Sequence, residues 1–305
     1  SGPNDADADA LAGLMQQRYG EGHVWSPSRL EAYGACPHQF FVRYALELEA
    51  KPPPSLGLDA ARLGTLLHAI LERAYAAAQD PADPDSVLAA MRKAAGQMFE
   101  RAPLELGFRP SLLWQAEQDQ LLLALETTIR GLAEEDAASR WRPAAFELPF
   151  GQNGAQPLAI QLDGQTILLH GVVDRVDRSA DGRLRIIDYK TGSSHLEKQD
   201  LTLGRRLQLP LYALAVEDVL GMGRVAEGFY WALLKGGPGG LKLSSYKWKE
   251  ESGPPAAAAA AREHLSRIVE NIRQARFAPA PPKGGCPNYC PAAAWCWRYT
   301  PGWGA

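Results

Sequence analysis

The chain has 305 residues, 46% of them hydrophobic and 22% charged, with a formal net charge of −3. That size allows one large domain or two average ones, with a core that needs no disulfide lattice. The mild negative charge excludes a uniformly basic nucleic-acid coat or membrane-surface binder. Four cysteines, Cys36, Cys286, Cys290 and Cys296, are too few for a disulfide scaffold, and three of them fall in the last twenty residues.

No stretch approaches the roughly eighteen consecutive apolar residues of a membrane span. The start, SGPNDADADA, lacks the basic-then-apolar order of a secretory signal. A cytoplasmic protein with no membrane partner is expected, its thiols metal ligands or bystanders. Residues 1–24, acidic and Ala-rich, read as a flexible amino-terminal segment cut from something longer, and 25–305 as one domain.

Along that domain, Ser26-Pro27 marks a helix start with Leu30 and Tyr33 on its apolar face. Cys36-Pro37 interrupts it, and a second short helix is expected from Gln39 to Leu46. The Pro-rich run from Lys51 is a connector. Helical periodicity follows over Leu63–Ala78, Ser86–Glu100 and Ser111–Glu135, the last with Leu112, Leu113, Leu121, Leu123, Leu125, Ile129 and Leu132 as core candidates. After Trp141 the period shifts toward 2. Strands are expected at Phe146–Phe150, Leu158–Leu162, Thr166–Asp177 and Arg183–Lys190, with Asp163-Gly164 and Asp181-Gly182 as turns. A helix over Leu207–Leu220, a strand over Val225–Leu234, a GGPGG loop, a strand in LKLSSYKW and a helix from Pro254 to about Arg276 complete the pattern. The order predicts an α/β domain: a mixed central β-sheet flanked by helices, with helical additions.

Alternation in GVVDRVD puts Val172, Asp174 and Val176 on one face and Val173, Arg175 and Asp177 on the other. In IIDYK, Asp188 and Lys190 share a face and Tyr189 points away. A hairpin turning at Asp181-Gly182 brings Asp174 near Asp188, so two carboxylates and a lysine meet on an otherwise apolar sheet. Neighbouring carboxylates repel unless a cation lies between them, and oxygen ligands suit Mg²⁺ or Mn²⁺. A lone D-x-K is more often a solvated pair at a strand end.

The combination goes further. GVVDRVD, then IIDYKTG, then LQLPLYALAV, with GTLLHAILE upstream, resembles the RecB/AddB-type branch of the PD-(D/E)XK nucleases. That resemblance covers 26–297. It implies His68, Asp174 and Asp188 as metal ligands, the Tyr189 carbonyl as a further one, and Lys190 as the catalytic lysine. Gln208 and Tyr212, one helical turn apart, would bind the DNA backbone or brace the site. Pro210 between them fits if the helix begins near Leu207. Taken alone, His68 among Leu66, Leu67 and Ile70 also matches a buried hydrogen-bonded histidine. His170 reads as structural, and Arg175 and Asp177 as partners of each other or of neighbours. Glu147 is read first as a surface residue, with a place near the metal as the alternative.

The cysteines form a one-plus-three pattern, with C-x3-C-x5-C at the carboxyl end, whereas zinc sites usually arrive as two close pairs. It resembles the iron–sulfur staple of AddB-type nuclease domains, with CPHQF supplying the first ligand. The resemblance implies a [4Fe–4S] cluster on Cys36, Cys286, Cys290 and Cys296 joining the two ends of the domain; zinc is the alternative. DNA, as a single strand or duplex end, would be met by a local basic surface. Arg205 and Arg206 beside Gln208 and Tyr212 are the first candidates, with Arg175, Lys190, Lys242, Lys247 and Lys249 as others and Tyr230, Trp231, Tyr246 and Trp248 for stacking. The expected function is a Mg²⁺- or Mn²⁺-dependent DNA exonuclease, the carboxyl-terminal nuclease domain of an AddB-like helicase–nuclease in double-strand break repair. The alternatives are a stand-alone CRISPR-associated-type Fe–S exonuclease and a non-catalytic DNA-binding or scaffolding domain of the same fold.

Overall fold

The computed structural model describes residues 5–48, 58–139, 141–162, 164–192, 196–287 and 289–302. The connector at 51–57 and Asp163 of the first expected turn lie outside these. The chain begins with α1 (Asp5–Tyr19), β1 (Val24–Trp25), α2 (Pro27–Ala35) and α3 (Pro37–Phe40), the last running into a π turn over Phe41–Ala45. Three long helices follow: α4 (Ala60–Ala77), α5 (Pro84–Glu105) and α6 (Trp114–Ser139). Then come β2 (Trp141–Phe150), β3 (Leu158–Leu162), β4 (Gln165–Leu169), β5 (Gly171–Ser179) and β6 (Leu184–Lys190). The rest comprises α7 (Lys198–Thr202), α8 (Gln208–Leu214), β7 (Val225–Ala232), β8 (Gly237–Lys242), β9 (Lys247–Trp248), β10 (Glu251–Ser252) and α9 (Pro254–Arg273).

The main sheet has the order β2-β5-β6-β7-β8, with β6 and β7 parallel and the other pairs antiparallel. It is the mixed sheet that the pattern predicts. Its strands alternate between two cores. Ile187, Tyr189, Phe229, Trp231 and Leu233 pack with α4, α5 and α6, while Leu184, Ile186, Tyr230 and Ala232 pack with α8 and α9. A smaller sheet, β1-β4-β3, adjoins the second core.

Several boundaries differ from the sequence reading, each for a local reason. The acidic leading stretch is helical from Asp5, because Leu11, Met15 and Tyr19 recur at intervals of four. Met15 and Tyr19 are buried, and the Tyr19 hydroxyl donates to the Tyr44 carbonyl at 2.8 Å. The single strand expected over Thr166–Asp177 is two, β4 and β5, in different sheets. They part at His170, whose N–H is taken by the Trp25 carbonyl at 2.9 Å. Part of the expected GGPGG loop is strand β8, and LKLSSYKW breaks into β8, a 3₁₀ turn at Leu243–Ser245 and β9. In α6 the buried stripe is Leu121, Leu125, Ile129 and Leu132. Leu112 and Leu113 precede the helix and Leu123 lies off the stripe, and all three are exposed. Among the described residues no helix is long and apolar enough to cross a membrane.

Beneath the sheet, on the α4–α6 side, lies an ionic network that is buried except for the partly exposed Asp136. Arg175 donates to Asp177 at 2.6 Å, to the Tyr75 hydroxyl at 2.9 Å and to Asp136 at 2.6 Å. Arg185 donates to the other Asp177 oxygen at 2.9 Å and also to Asp136. Two guanidinium groups and two carboxylates balance, which is the condition for burying them. Arg175 is 0% exposed, so this candidate for DNA contact is structural instead. Tyr230, Trp231 and Tyr246 are likewise core residues and offer no stacking surface.

Candidate metal and nucleic-acid site

On the opposite face, at the carboxyl end of β6, the polar residues of the motifs converge. The β5–β6 register pairs Arg175 with Ile187, and continuing it by one residue sets Asp174 beside Asp188. Asp174 is buried and accepts the Tyr189 backbone N–H at 2.7 Å. From α4, His68 reaches over the strand ends. Its Nε2 lies 3.1 Å from the Tyr189 carbonyl, which can only accept, so Nε2 carries the proton and Nδ1 is a bare lone pair. That lone pair faces Asp174 Oδ2 at 3.6 Å and Glu147 Oε1 at 3.9 Å. Among the described residues, His68, Glu147 and Asp174 are the only trio of His, Cys, Asp or Glu donor atoms all within 4.8 Å of one another.

Three electron-rich atoms turned toward one another require a cation or a proton between them. Burial is the largest effect on all three. It pushes the Asp174 carboxyl well above its ordinary range, with Asp188 adding to the effect, and it lowers His68. Glu147 is pushed up to about 7 by burial, then by Glu72 and Asp188. Neutral nitrogen and carboxylate oxygens are a donor set that suits Mn²⁺ or Mg²⁺. The Tyr189 carbonyl, expected as a ligand, lies at the edge of this donor set, 3.1 Å from His68 Nε2. Glu147 reaches the trio from a left-handed backbone conformation, φ 45°, inside β2. Strain of this kind, held in place by its surroundings, concentrates at functional sites.

The Glu147 shift has a consequence for the metal-free protein. A carboxyl whose folded value is raised from 4.5 to about 7 favours the fold while protonated. The Glu147 contribution to stability is therefore expected to be full below about pH 4.5 and to be lost as the pH rises through about 7. Thermal melts of the metal-free protein should show that limb, Glu147→Gln should flatten it, and Mn²⁺ should restore stability above pH 7.

Asp188 and Lys190 sit beside this trio. Lys190 Nζ is 2.5 Å from Asp188 Oδ2 and donates to Gln208 Oε1 at 2.7 Å. Gln208 Nε2 in turn donates to the Tyr212 hydroxyl at 3.3 Å. Gln208 is the first residue of α8, so Pro210 falls in the first turn, where its missing N–H is tolerated. Gly171 opens β5 where a Cβ would meet the Tyr212 and Phe150 rings at 2.9 Å, which explains a glycine three residues before Asp174. Arg206 lies against Glu31 at 3.0 Å in a largely buried ion pair, and Arg205 is half-buried in the loop before α8. Lys242 and Lys249 are paired with Glu135 and Glu263, and Lys247 is exposed.

The four cysteines gather elsewhere. Cys36 caps the end of α2, and the carboxyl-terminal segment folds back so that Cys286 N–H reaches Thr300 O at 2.6 Å. Cys290 and Cys296 pack with Val42 and Ala292. All four are free thiols. Burial first, then the charges of Cys286, Cys36 and Cys296, push the Cys290 thiol up, which places all three others within electrostatic reach of it.

The family model described as PD-(D/E)XK nuclease superfamily matches residues 24–297. A relative from Symbiobacterium thermophilum, named as a subunit of an ATP-dependent helicase/deoxyribonuclease, is 34% identical over 236 residues, covering 70% of this chain and 20% of its own. One of the same name from Acetivibrio thermocellus is 34% identical over 205 residues, covering 64% and 18%. The chain thus spans about a fifth of the length of the curated relatives it matches.

Proposed function

The chain belongs to the PD-(D/E)XK nuclease superfamily, and on that premise we propose that it is a Mg²⁺- or Mn²⁺-dependent deoxyribonuclease. The observation that supports this most is the meeting of His68 Nδ1, Asp174 and Glu147 beside the Asp188–Lys190 pair. His68, Asp174 and Asp188 would hold the ion, with Glu147 as a further oxygen ligand. A bound Mg²⁺ or Mn²⁺ supplies Lewis acidity and a more acidic water. Lys190, fixed by Gln208 and Asp188, orients that water and offsets charge developing on the phosphate. Gln208 and Tyr212 brace the lysine and face the DNA backbone, with Arg205 beside them.

In the same reading Cys36, Cys286, Cys290 and Cys296 hold a [4Fe–4S] cluster that fastens the two ends of the domain. The gathering of Cys36, Cys286 and Cys296 around Cys290 supports a shared centre, and the one-plus-three order of the cysteines is what makes it a cluster in this reading. The relatives' name supports a place within an ATP-dependent helicase/deoxyribonuclease, and we place it in a cytoplasmic setting that keeps thiols reduced. Linear single-stranded and duplex DNA incubated with Mn²⁺ or Mg²⁺ should be degraded, and EDTA should stop it. No cleavage under either ion overturns the assignment. A brown protein with broad visible absorption is expected; a colourless one with stoichiometric zinc overturns the cluster.

A further inference from the structure

Glu31 enters the site described above only as the partner of Arg206, yet it is one of few buried carboxylates among the described residues and its other contacts lead to Lys190. It lies on α2, 6% exposed. Its Oε1 accepts the backbone N–H groups of Leu207 at 2.7 Å and Gln208 at 3.0 Å, and its Oε2 meets Arg206 at 3.0 Å. Leu207 and Gln208 are the cap and first residue of α8, the positions whose N–H groups have no partner inside a helix. The cap of α8 has no side-chain hydrogen bond of its own. A carboxylate 176 residues away in sequence supplies it instead, with a charge that also suits the positive end of the helix.

A second contact fixes α2 against the same loop. Gly34 packs so closely on Gly204 that a Cβ there would lie 2.0 Å from the Gly204 carbonyl oxygen. The route from α2 onward is short. Glu31 holds the Gln208 backbone, the Gln208 side chain accepts Lys190 Nζ at 2.7 Å, and Lys190 meets Asp188 at 2.5 Å. Gln208 has one side chain with which to reach Lys190, so a shift in where α8 begins moves its amide off the lysine.

We propose that Glu31 is a positioning residue: by capping α8 from the neighbouring helix α2, it sets Gln208 and, through Gln208, aims Lys190. The proposal rests on the nuclease reading for its kinetic test and on the contacts alone for its structural one. Glu31→Asp keeps the charge for Arg206 but is one methylene shorter, and it withdraws the acceptor from the two amides. It is expected to lower kcat on linear DNA about 10–100-fold, the scale seen for residues that orient an active group from behind, with KM for DNA nearly unchanged. Combining it with Gln208→Ala should cost no more than Gln208→Ala alone, because both act on the same contact. Independently of turnover, amide exchange at Leu207 and Gln208 should accelerate and the Gln208 side-chain NH₂ resonances should shift. A folded Glu31→Asp with wild-type kcat, or losses that multiply in the double variant, overturns the proposal, as do unchanged exchange and resonances. An inactive wild-type protein in which Glu31→Asp still alters exchange and resonances refutes the nuclease reading and leaves the positioning role standing.

Discussion

Lys190→Ala is expected to slow divalent-dependent DNA cleavage by roughly 10²–10³-fold, the scale of removing one preorganised charge stabiliser, while the rise in melting temperature caused by Mn²⁺ survives. Asp174→Ala and Asp188→Ala are expected to lose both. The separation follows from geometry. Lys190 is held by Asp188 and Gln208, whereas the donors that face one another belong to His68, Glu147 and Asp174, so its removal leaves them in place. Asp174, by contrast, faces His68 at 3.6 Å and accepts the Tyr189 N–H, so its loss dismantles the donor set. Asp174 is also buried with its carboxyl pushed well up. In the metal-free protein its ionisation opposes folding, and the opposition grows as the pH rises through the raised folded value. Asp174→Asn removes that opposition and should melt higher than the metal-free wild type at pH 8, while gaining nothing from Mn²⁺. Differential scanning fluorimetry with and without Mn²⁺, beside a nuclease assay, checks each outcome. A Lys190→Ala protein that also loses the Mn²⁺ response would make the lysine part of the ligand set.

The parts of this site legible in the sequence are those set by short-range periodicity. Asp188 and Lys190 share a face because strands alternate, and Asp181-Gly182 fixes the hairpin that brings Asp174 opposite them. Gln208 and Tyr212 face the same way because a helix turns in about four residues. Glu147 is ambiguous in the sequence because its side chain reaches His68 from a left-handed backbone, which no alternation pattern encodes. Arg206 reads as a surface cation beside Gln208; its partner Glu31 lies 175 residues earlier, and only tertiary packing brings them together. The split of β4 from β5 is hidden for a similar reason. The apolar alternation runs unbroken through His170, and the change of sheet depends on pairing with Trp25. Leu123 repeats the lesson on α6, where composition suggests a core residue and the angular position of the buried stripe leaves it exposed.

Asp177→Ala is expected to lower stability by about 3–5 kcal/mol, the usual result of leaving a buried charge without its partner, or roughly 5–8 °C in melting temperature at this size. Both Asp177 oxygens are occupied, one by Arg175 at 2.6 Å and the other by Arg185 at 2.9 Å, and all three side chains are essentially inaccessible. Without Asp177 the two guanidinium groups share Asp136 alone. Asp181→Ala removes a carboxylate that also holds an arginine, Arg183, at 2.6 Å, but at a fully exposed turn, and it should leave the melting temperature unchanged. The contrast extends to Mn²⁺. Alternation along β5 puts a balanced set, Arg175 and Asp177, on one face and an unbalanced one, Asp174 beside Asp188, on the other. A cation can offset the second imbalance and has no access to the first. Mn²⁺ should therefore stabilise Asp177→Ala by the same increment as wild type without closing the gap between them. A rescue of Asp177→Ala by Mn²⁺ to the wild-type melting temperature would show that the two faces are coupled rather than separately neutralised.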